Sequence, residues 1–241
     1  MKNLEILYED DDFVIINKPA GMLSVPDRFN QEIPNLYNIL KLKYGNIFIV
    51  HRLDADTSGV IVFAKNQAAH RDLSIKFEKR DVKKNYVAIV NGKIEKQDNS
   101  INLPVAERKG KPGTMKIYRY AGKKAITNYK VLESFKRFTL VEVELLTGRM
   151  HQIRVHFQAI GHPLAVDPVY GGREALFLSE IKSRYQKKED EEEKPLIRRL
   201  TLHAKSIEFK HYRTNKIIRV EAQMPKDFKA LLNQLRKNDK L

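Results

Sequence analysis

The stretch VHRLDADTSGVIVF, residues 50–63, sets two carboxylates, Asp54 and Asp56, behind a His-Arg pair and follows them with Thr57, Ser58 and Gly59. Apolar runs, IFIV at 47–50 and VIVFAK at 60–65, stand on both sides and read as buried strands. Loops held between rigid strands are favoured positions for reactive side chains. A carboxylate so close to a buried strand is partly desolvated and needs a cation or a hydrogen-bond donor. From this loop alone three readings are open. Asp54, Asp56, Thr57 and Ser58 can bond nearby backbone amides and do no chemistry. Asp54 can act as a single reactive carboxylate. Asp54 and Asp56 can act as an acid–base pair, although a spacing of two does not fix the carboxyl separation that such a pair requires. Gly59 permits close backbone approach or a positive φ.

A second constellation is TGRMHQIRVH, residues 147–156. In a helix starting near Arg149, His151 and Arg154 share one face, while Arg149, Gln152 and His156 line an adjacent one. Arg154 interrupts an apolar stretch between Ile153 and Val155. An arginine there either snorkels or anchors a carboxylate through paired hydrogen bonds. Tyr86, in KKNYVAIV, reads by itself as core packing with its hydroxyl at the rim.

The elements that must position these groups follow from hydropathy period and turn chemistry. LEILYEDDDFVIINKPAG gives two short strands around an acidic turn, then a Pro-Gly loop. Asn66 caps a helix through about Glu78, with Ala69, Leu73 and Phe77 on one face. NYVAIV (85–90) is a strand ended by Asn91-Gly92. Residues 105–124 form an exposed basic loop or hairpin. AITNYKVLESF and TLVEVELLT pair as a hairpin, with Val141, Val143 and Leu145 alternating against Glu142 and Glu144. GRMHQIRVHFQAIG is helical, with an apolar stripe of Met150, Ile153, Phe157 and Ile160, and Gly161 at its end. The charged run at 185–199 is a solvated loop. The tail gives strands at LTLHAKSIEF and KIIRVEA and a helix opened by Pro225. Strands paired by hairpins, with helices interspersed irregularly, predict an α+β fold around a mixed, largely antiparallel sheet.

Composition narrows the partners. The chain has 241 residues, 42% of them apolar, enough for a real core. Lys and Arg outnumber Asp and Glu by 45 to 30, a formal charge of +15, which points to nucleic acid ahead of membrane. There is no cysteine, so disulfides, thiol nucleophiles and thiolate zinc sites are excluded. The acids at Glu9 to Asp12 interrupt the N-terminal segment, which therefore reads as neither signal peptide nor membrane span, and the expected location is cytoplasmic.

Taken together, the motifs resemble those of the RluA-type RNA pseudouridine synthases. HRLDADTSG matches the family's H-R-L-D-x-x-T-S-G loop, with Asp56 at a variable position. KKNYVAIVNGKI resembles the second motif through Tyr86, and LLTGRMHQIRVHFQAIGHPLAVDPVYGG the third through Arg154. NKPAGMLSVPD, GKKAITNYKVLE and LHAKSIEF add matches in the family's order, from about Ile6 to Pro225. Met150 stands where threonine is common, and Val166 where glycine more often precedes Asp167.

The resemblance implies a pseudouridine synthase fold with flanking helices and an active-site cleft. It also implies a single catalytic domain over 1–241, without the S4-type N-terminal domain of many relatives. The implied reaction moves the ribose link of a uridine in rRNA or tRNA from N1 to C5 of the base, with no metal and no cofactor. Asp54 is then the essential carboxylate, adding at C6, attacking C1′ or taking a proton at C2′, and Arg154 keeps it ionised. Tyr86 stacks on the uracil and removes the C5 proton, through water, since a phenol is a weak base. The target base must leave its stack, and Arg52 fills the space or holds a phosphate. His51, Arg149, His151 and Gln152 are assigned to RNA contact beside it, and Lys and Arg in 107–124 to phosphates. The expected state is a monomer with no obligate protein or membrane partner. Two other classes remain open to test: a catalytically silent RNA-binding or ribosome assembly protein on the same fold, and a glycoside hydrolase using Asp54 and Asp56.

Overall fold

The computed structural model describes residues 4–183, 185–186 and 192–241. The charged run expected at 185–199 falls partly outside the described residues, and its acidic stretch at 189–193 largely so. In chain order the elements are β1 (Glu5–Glu9), β2 (Phe13–Lys18), α1 (Leu36–Tyr44), β3 (Phe48–Ile49), β4 (Ser58–Ala64), α2 (Gln67–Lys79) and β5 (Lys83–Asn91). There follow β6 (Asp98–Asn102), β7 (Val105–Glu107), β8 (Met115–Ile117), β9 (Ile126–Ser134), β10 (Phe138–Leu145) and α3 (Gln152–Ala159). The last are β11 (Leu202–Lys210), β12 (Ile217–Glu221) and α4 (Lys226–Asn238). They fall into two compact units, one running up to Tyr86 and including His203–Gln223, the other made of Val87–Leu202 and Met224–Leu241.

In the first unit the strands run β1-β2-β4-β11, with β12 on β11 and β3 on β4. β4 and β11 are parallel, with His203 opposite Ser58 and Ala204 opposite Gly59. The pairs β1/β2, β2/β4, β3/β4 and β11/β12 are antiparallel. All seven residues of β4 are buried, as a strand covered on both faces requires, and its sequence accordingly reads as an unbroken apolar run. Phe13, Ile15, Val60, Val62, Leu73 and Phe209 form the core of this unit. Helix α2 opens as expected: the Asn66 side chain accepts from the Ala69 amide at 2.9 Å. Helix α1 was not anticipated. Asn35 caps it by accepting from the Asn38 amide, and Leu36 and Leu40 are buried on its inner face.

In the second unit β9 and β10 form the expected hairpin, with a bulge between Leu140 and Val141, and β6 adds to β9. Val141, Val143 and Leu145 are buried while Glu142 and Glu144 are partly exposed, so the period-2 reading holds. Phe135, Leu140, Val166, Phe228 and Leu232 share one core, the last two contributed by α4. β7 and β8 pair as a separate two-stranded hairpin. Helix α3 begins at Gln152, not near Arg149, because His151 takes a left-handed conformation at φ 53°. Arg149 and His151 therefore precede the helix, and the shared faces expected for them do not form. With four helices among the described residues and mixed, largely antiparallel strands, the fold is α+β.

Candidate active site

The Asp54 loop owes its shape to a clamp from another segment. Asp54 is half-buried, and its carbonyl accepts from the Thr57 amide at 3.1 Å, closing a turn with Ala55 and Asp56 at the corners. The Lys18 side chain, fully buried at the end of β2, donates to the carbonyls of Ala55 (2.7 Å), Met22 (2.7 Å) and Pro19 (3.0 Å). An ammonium group has three donors, and three carbonyls are met here. The Gly21 amide also donates to the Ala55 carbonyl at 2.9 Å. On the other side of Asp54, the Ser24 hydroxyl donates to the Leu53 carbonyl at 2.8 Å and accepts from the Leu53 amide at 3.1 Å. Backbone on both sides of Asp54 is thus fixed by residues 18–24. Sequence reading marked that segment as a strand end, a Pro-Gly loop and a family match, and gave it no role in holding Asp54. The signal it passed over was a lysine closing a largely apolar strand, FVIINK.

Downstream, Gly59 has φ +113° and lies against the Ala204 backbone, into whose carbonyl oxygen a Cβ would run. Both reasons for glycine therefore hold at one position. The buried Ser58 hydroxyl lies 2.9 Å from His203 Nδ1, and His203 Nε2 lies 3.3 Å from the Ala222 carbonyl. A carbonyl only accepts, so Nε2 carries the proton and Nδ1 takes the serine hydrogen.

The sequence-selected residues of this unit differ in what they can do. His51 Nε2 accepts from the Val62 amide at 3.1 Å, and its ring stacks on Phe77 at 4.7 Å. Burial, with the charge of Lys84 adding, pushes its pKa down to about 3, so it is a neutral imidazole. Arg52 is exposed and, among the described residues, has no ion pair or hydrogen bond. Asp56 is also exposed. Tyr86 is buried, and burial together with the Asp54 charge drives its pKa upward. Asp54 and Tyr86 are therefore close enough to interact electrostatically, and the tyrosine keeps its proton.

The second unit builds its own constellation around Arg154. Its Nε and Nη2 each donate to Asp167 at 2.8 Å, and both side chains are buried. Of the two roles open to this arginine, anchoring a carboxylate is therefore realised with Asp167, a residue that sequence reading had noted only for the valine before it. Val166 itself is fully buried and outside the positive-φ region, so no glycine is required there. Asp167 also accepts from the amides of Val169 (2.9 Å) and Tyr170 (3.0 Å). The Arg154 guanidinium sits 5.0 Å from the Tyr170 ring centre. The Tyr170 hydroxyl accepts from the Met115 amide (2.7 Å) and is 2.9 Å from His151 Nδ1. Gln152 is buried: its carbonyl oxygen accepts from the Thr147 hydroxyl and the Arg149 amide, and its amide donates to Ile126 and Thr127. Arg149 is exposed and donates to the Lys124 carbonyl at 3.2 Å.

From the loop of the hairpin β7/β8 onward, residues 108–124 carry Arg108, Lys109, Lys111, Lys116, Arg119, Lys123 and Lys124 and no acid. The expected basic arm is thus a hairpin followed by a turn. One group of candidate metal ligands exists among the described residues, Asp10, Asp12 and His211. Its cation is already supplied: Arg213 pairs with Asp12, and Tyr212 and Asn66 donate to the same carboxylate. Among the described residues no helix is long and apolar enough to cross a membrane.

The fold is that of a pseudouridylate synthase domain. It superposes on the solved structure titled Human RNA Pseudouridylate Synthase Domain Containing 4 with TM-score 0.72 at 24% identity, covering 96% of this chain and 93% of that one. In sequence, residues 12–159 match the family model of RNA pseudouridylate synthase. An uncharacterized RNA pseudouridine synthase of Bacillus subtilis is 37% identical over 98% of this chain and 74% of its own length. The ribosomal large subunit pseudouridine synthase D of Nitrosomonas europaea is 39% identical over 97% of this chain and 65% of its own. The chain belongs to the RNA pseudouridylate synthase family. It is an RNA isomerase, turning uridine into pseudouridine.

Proposed function

We propose that Asp54 is the essential carboxylate of this isomerisation, with Tyr86 and Arg154 as its partners. The observation that carries the reading is the Asp54 loop: a half-buried carboxylate whose neighbours Leu53 and Ala55 are both held by residues 18–24, beside a buried phenol. A fixed, partly desolvated carboxylate suits attack on one atom of a nucleotide. Arg154, oriented by Asp167, supplies the positive charge that the resemblance implies for keeping Asp54 ionised. Tyr86 acts as a neutral phenol, stacking on the base while the C5 proton leaves to water at its hydroxyl.

The target uridine is flipped out of its stack, and the exposed guanidinium of Arg52 fills the space or holds the adjacent phosphate. Arg149 and the basic side chains of 108–124 meet phosphates. His51, His151 and Gln152 serve the RNA indirectly: His51 and Gln152 fix backbone at Val62, Arg149 and Ile126, and His151 meets the Tyr170 hydroxyl. The substrate is ribosomal or transfer RNA, and the chain works as a cytoplasmic monomer.

The test is release of tritium from RNA carrying 5-tritiated uridine. Asp54→Ala should lose at least about a thousand-fold in rate while retaining RNA binding, and Asp56→Ala should stay within about three-fold of wild type. Equal turnover by Asp54→Ala and wild type would overturn the assignment, and equal damage at Asp56 would favour a paired-carboxylate mechanism.

A further inference from the structure

The turn after β8 exposes aromatic surface that the isomerisation does not use. Tyr120 is 95% exposed and Tyr118 40%. Their ring centres lie 6.3 Å apart at 69°. The Lys116 ammonium sits over the Tyr118 ring, 4.8 Å from its centre. An aromatic side chain left in water normally gains by being covered, so a rigidly held and exposed one has a use elsewhere.

This turn is rigidly held. The Tyr118 amide donates to the Pro104 carbonyl at 2.9 Å, and the Gly122 amide donates to the Tyr118 carbonyl at 2.8 Å. Val105 and Lys123 exchange two backbone hydrogen bonds of 2.9 Å each. A Cβ on Gly122 would stand 2.5 Å from the Tyr118 carbonyl oxygen and 2.8 Å from the Pro104 carbonyl carbon, so any side chain there would force the turn to shift. Lys116, Arg119, Lys123 and Lys124 lie within a few residues of the pair in sequence, with no acid between 108 and 124.

We propose that Tyr118 and Tyr120 form a stacking platform for an unpaired nucleotide of the RNA, separate from the uridine that is isomerised. The inference rests on the RNA reading above and adds a contact of a different kind. The cations hold the flanking phosphates, and the rings take the face of a base, a pairing used wherever single-stranded nucleic acid is bound without base-edge readout. The occupant must be single-stranded at that point, because a base inside a duplex has no free face.

The chain has no tryptophan, so Tyr120→Trp places one reporter at the site. The probes are a synthetic RNA stem-loop with an unpaired purine loop and the same stem as an uninterrupted duplex. The expected results are fluorescence quenching by the stem-loop but not by the duplex, and at least about five-fold weaker stem-loop binding by Tyr120→Ala. Tyr120→Phe should bind as wild type does, and the salt slope of Tyr120→Ala should be unchanged, since no phosphate contact is lost. Binding by Tyr120→Ala equal to wild type, or quenching of the reporter by polyglutamate as strong as by RNA, would overturn the platform. Either result leaves the Asp54 assignment standing. Wild-type protein that binds neither RNA would instead remove the RNA reading and the platform with it.

Discussion

The loop that carries Asp54 and the turn that carries Tyr120 use one device for opposite ends. Each closes on a glycine, Gly59 or Gly122, that backbone atoms crowd too closely for any side chain. Each is pinned at both ends by hydrogen bonds from a different segment, residues 18–24 in one case and Pro104 with Val105 in the other. The Asp54 loop is partly enclosed, with Leu53, Thr57 and Ser58 buried and Asp54 itself half-buried, whereas the Tyr120 turn is left in solvent. A carboxylate that must attack one atom gains from exclusion of water, while rings and cations that receive a polymer gain from remaining accessible. Rigidity is common to both, and burial separates chemistry from contact.

That contrast makes a ladder of expected effects. Lys18→Met removes the ammonium that three carbonyls share, at the enclosed loop only. It should lower unfolding stability by about 2–5 kcal/mol, seen as a lower denaturant midpoint, and depress turnover as Asp54 loses its fixed setting. Gly59→Ala should cost about 2–4 kcal/mol, from strain at φ +113° and from collision with the Ala204 carbonyl. Gly122→Ala should cost less, about 1–3 kcal/mol, because the exposed turn can shift. Equal losses at the two glycines would break the comparison.

The enclosed loop also predicts acid sensitivity that the exposed turn lacks. The folded pKa of His51 is about 3, against an ordinary value of 6.5. The unfolded chain takes up a proton as pH falls through 6.5, and the folded chain does not until about 3. The stability contributed by neutral His51 is therefore complete above pH 6.5 and is progressively lost as pH falls towards 3. His51→Gln, which keeps an acceptor for the Val62 amide, should flatten this dependence by about 1–2 kcal/mol by about pH 5 in urea titrations across pH. The smallest effect belongs to the basic arm. Lys111→Ala should leave stability within about 0.5 kcal/mol and reduce the salt slope of RNA binding by about 0.9.

Legibility in the sequence follows the range of the interaction. The strand alternation of 141–145, the Asn66 cap, the hairpin β9/β10 and the helix after Pro225 all rest on contacts within a few residues, and the pattern carries them directly. Helix α1 rests on an equally local cap, Asn35 to Asn38, and was readable in principle; a weakly patterned stretch between two apolar runs hid it. The late start of α3 was not readable: His151, left-handed at φ 53°, has its ring on the hydroxyl of Tyr170, a residue 19 positions away. Among the candidate site residues, Asp54 and Tyr86 could be selected by motif and stand close enough in the fold for charge to pass between them.

The sequence by itself determined most of the strands and helices, which loop the family resemblance selects, and that the partner is a polyanion. Only the tertiary structure decided what holds those residues in place: Lys18 on Ala55 across 37 positions, Asp167 on Arg154 across 13, Ser58 on His203 across 145. The reason is physical. Hydropathy period and capping act over one or two turns of chain, whereas a buried charge or hydroxyl is satisfied by whichever group the fold brings to it.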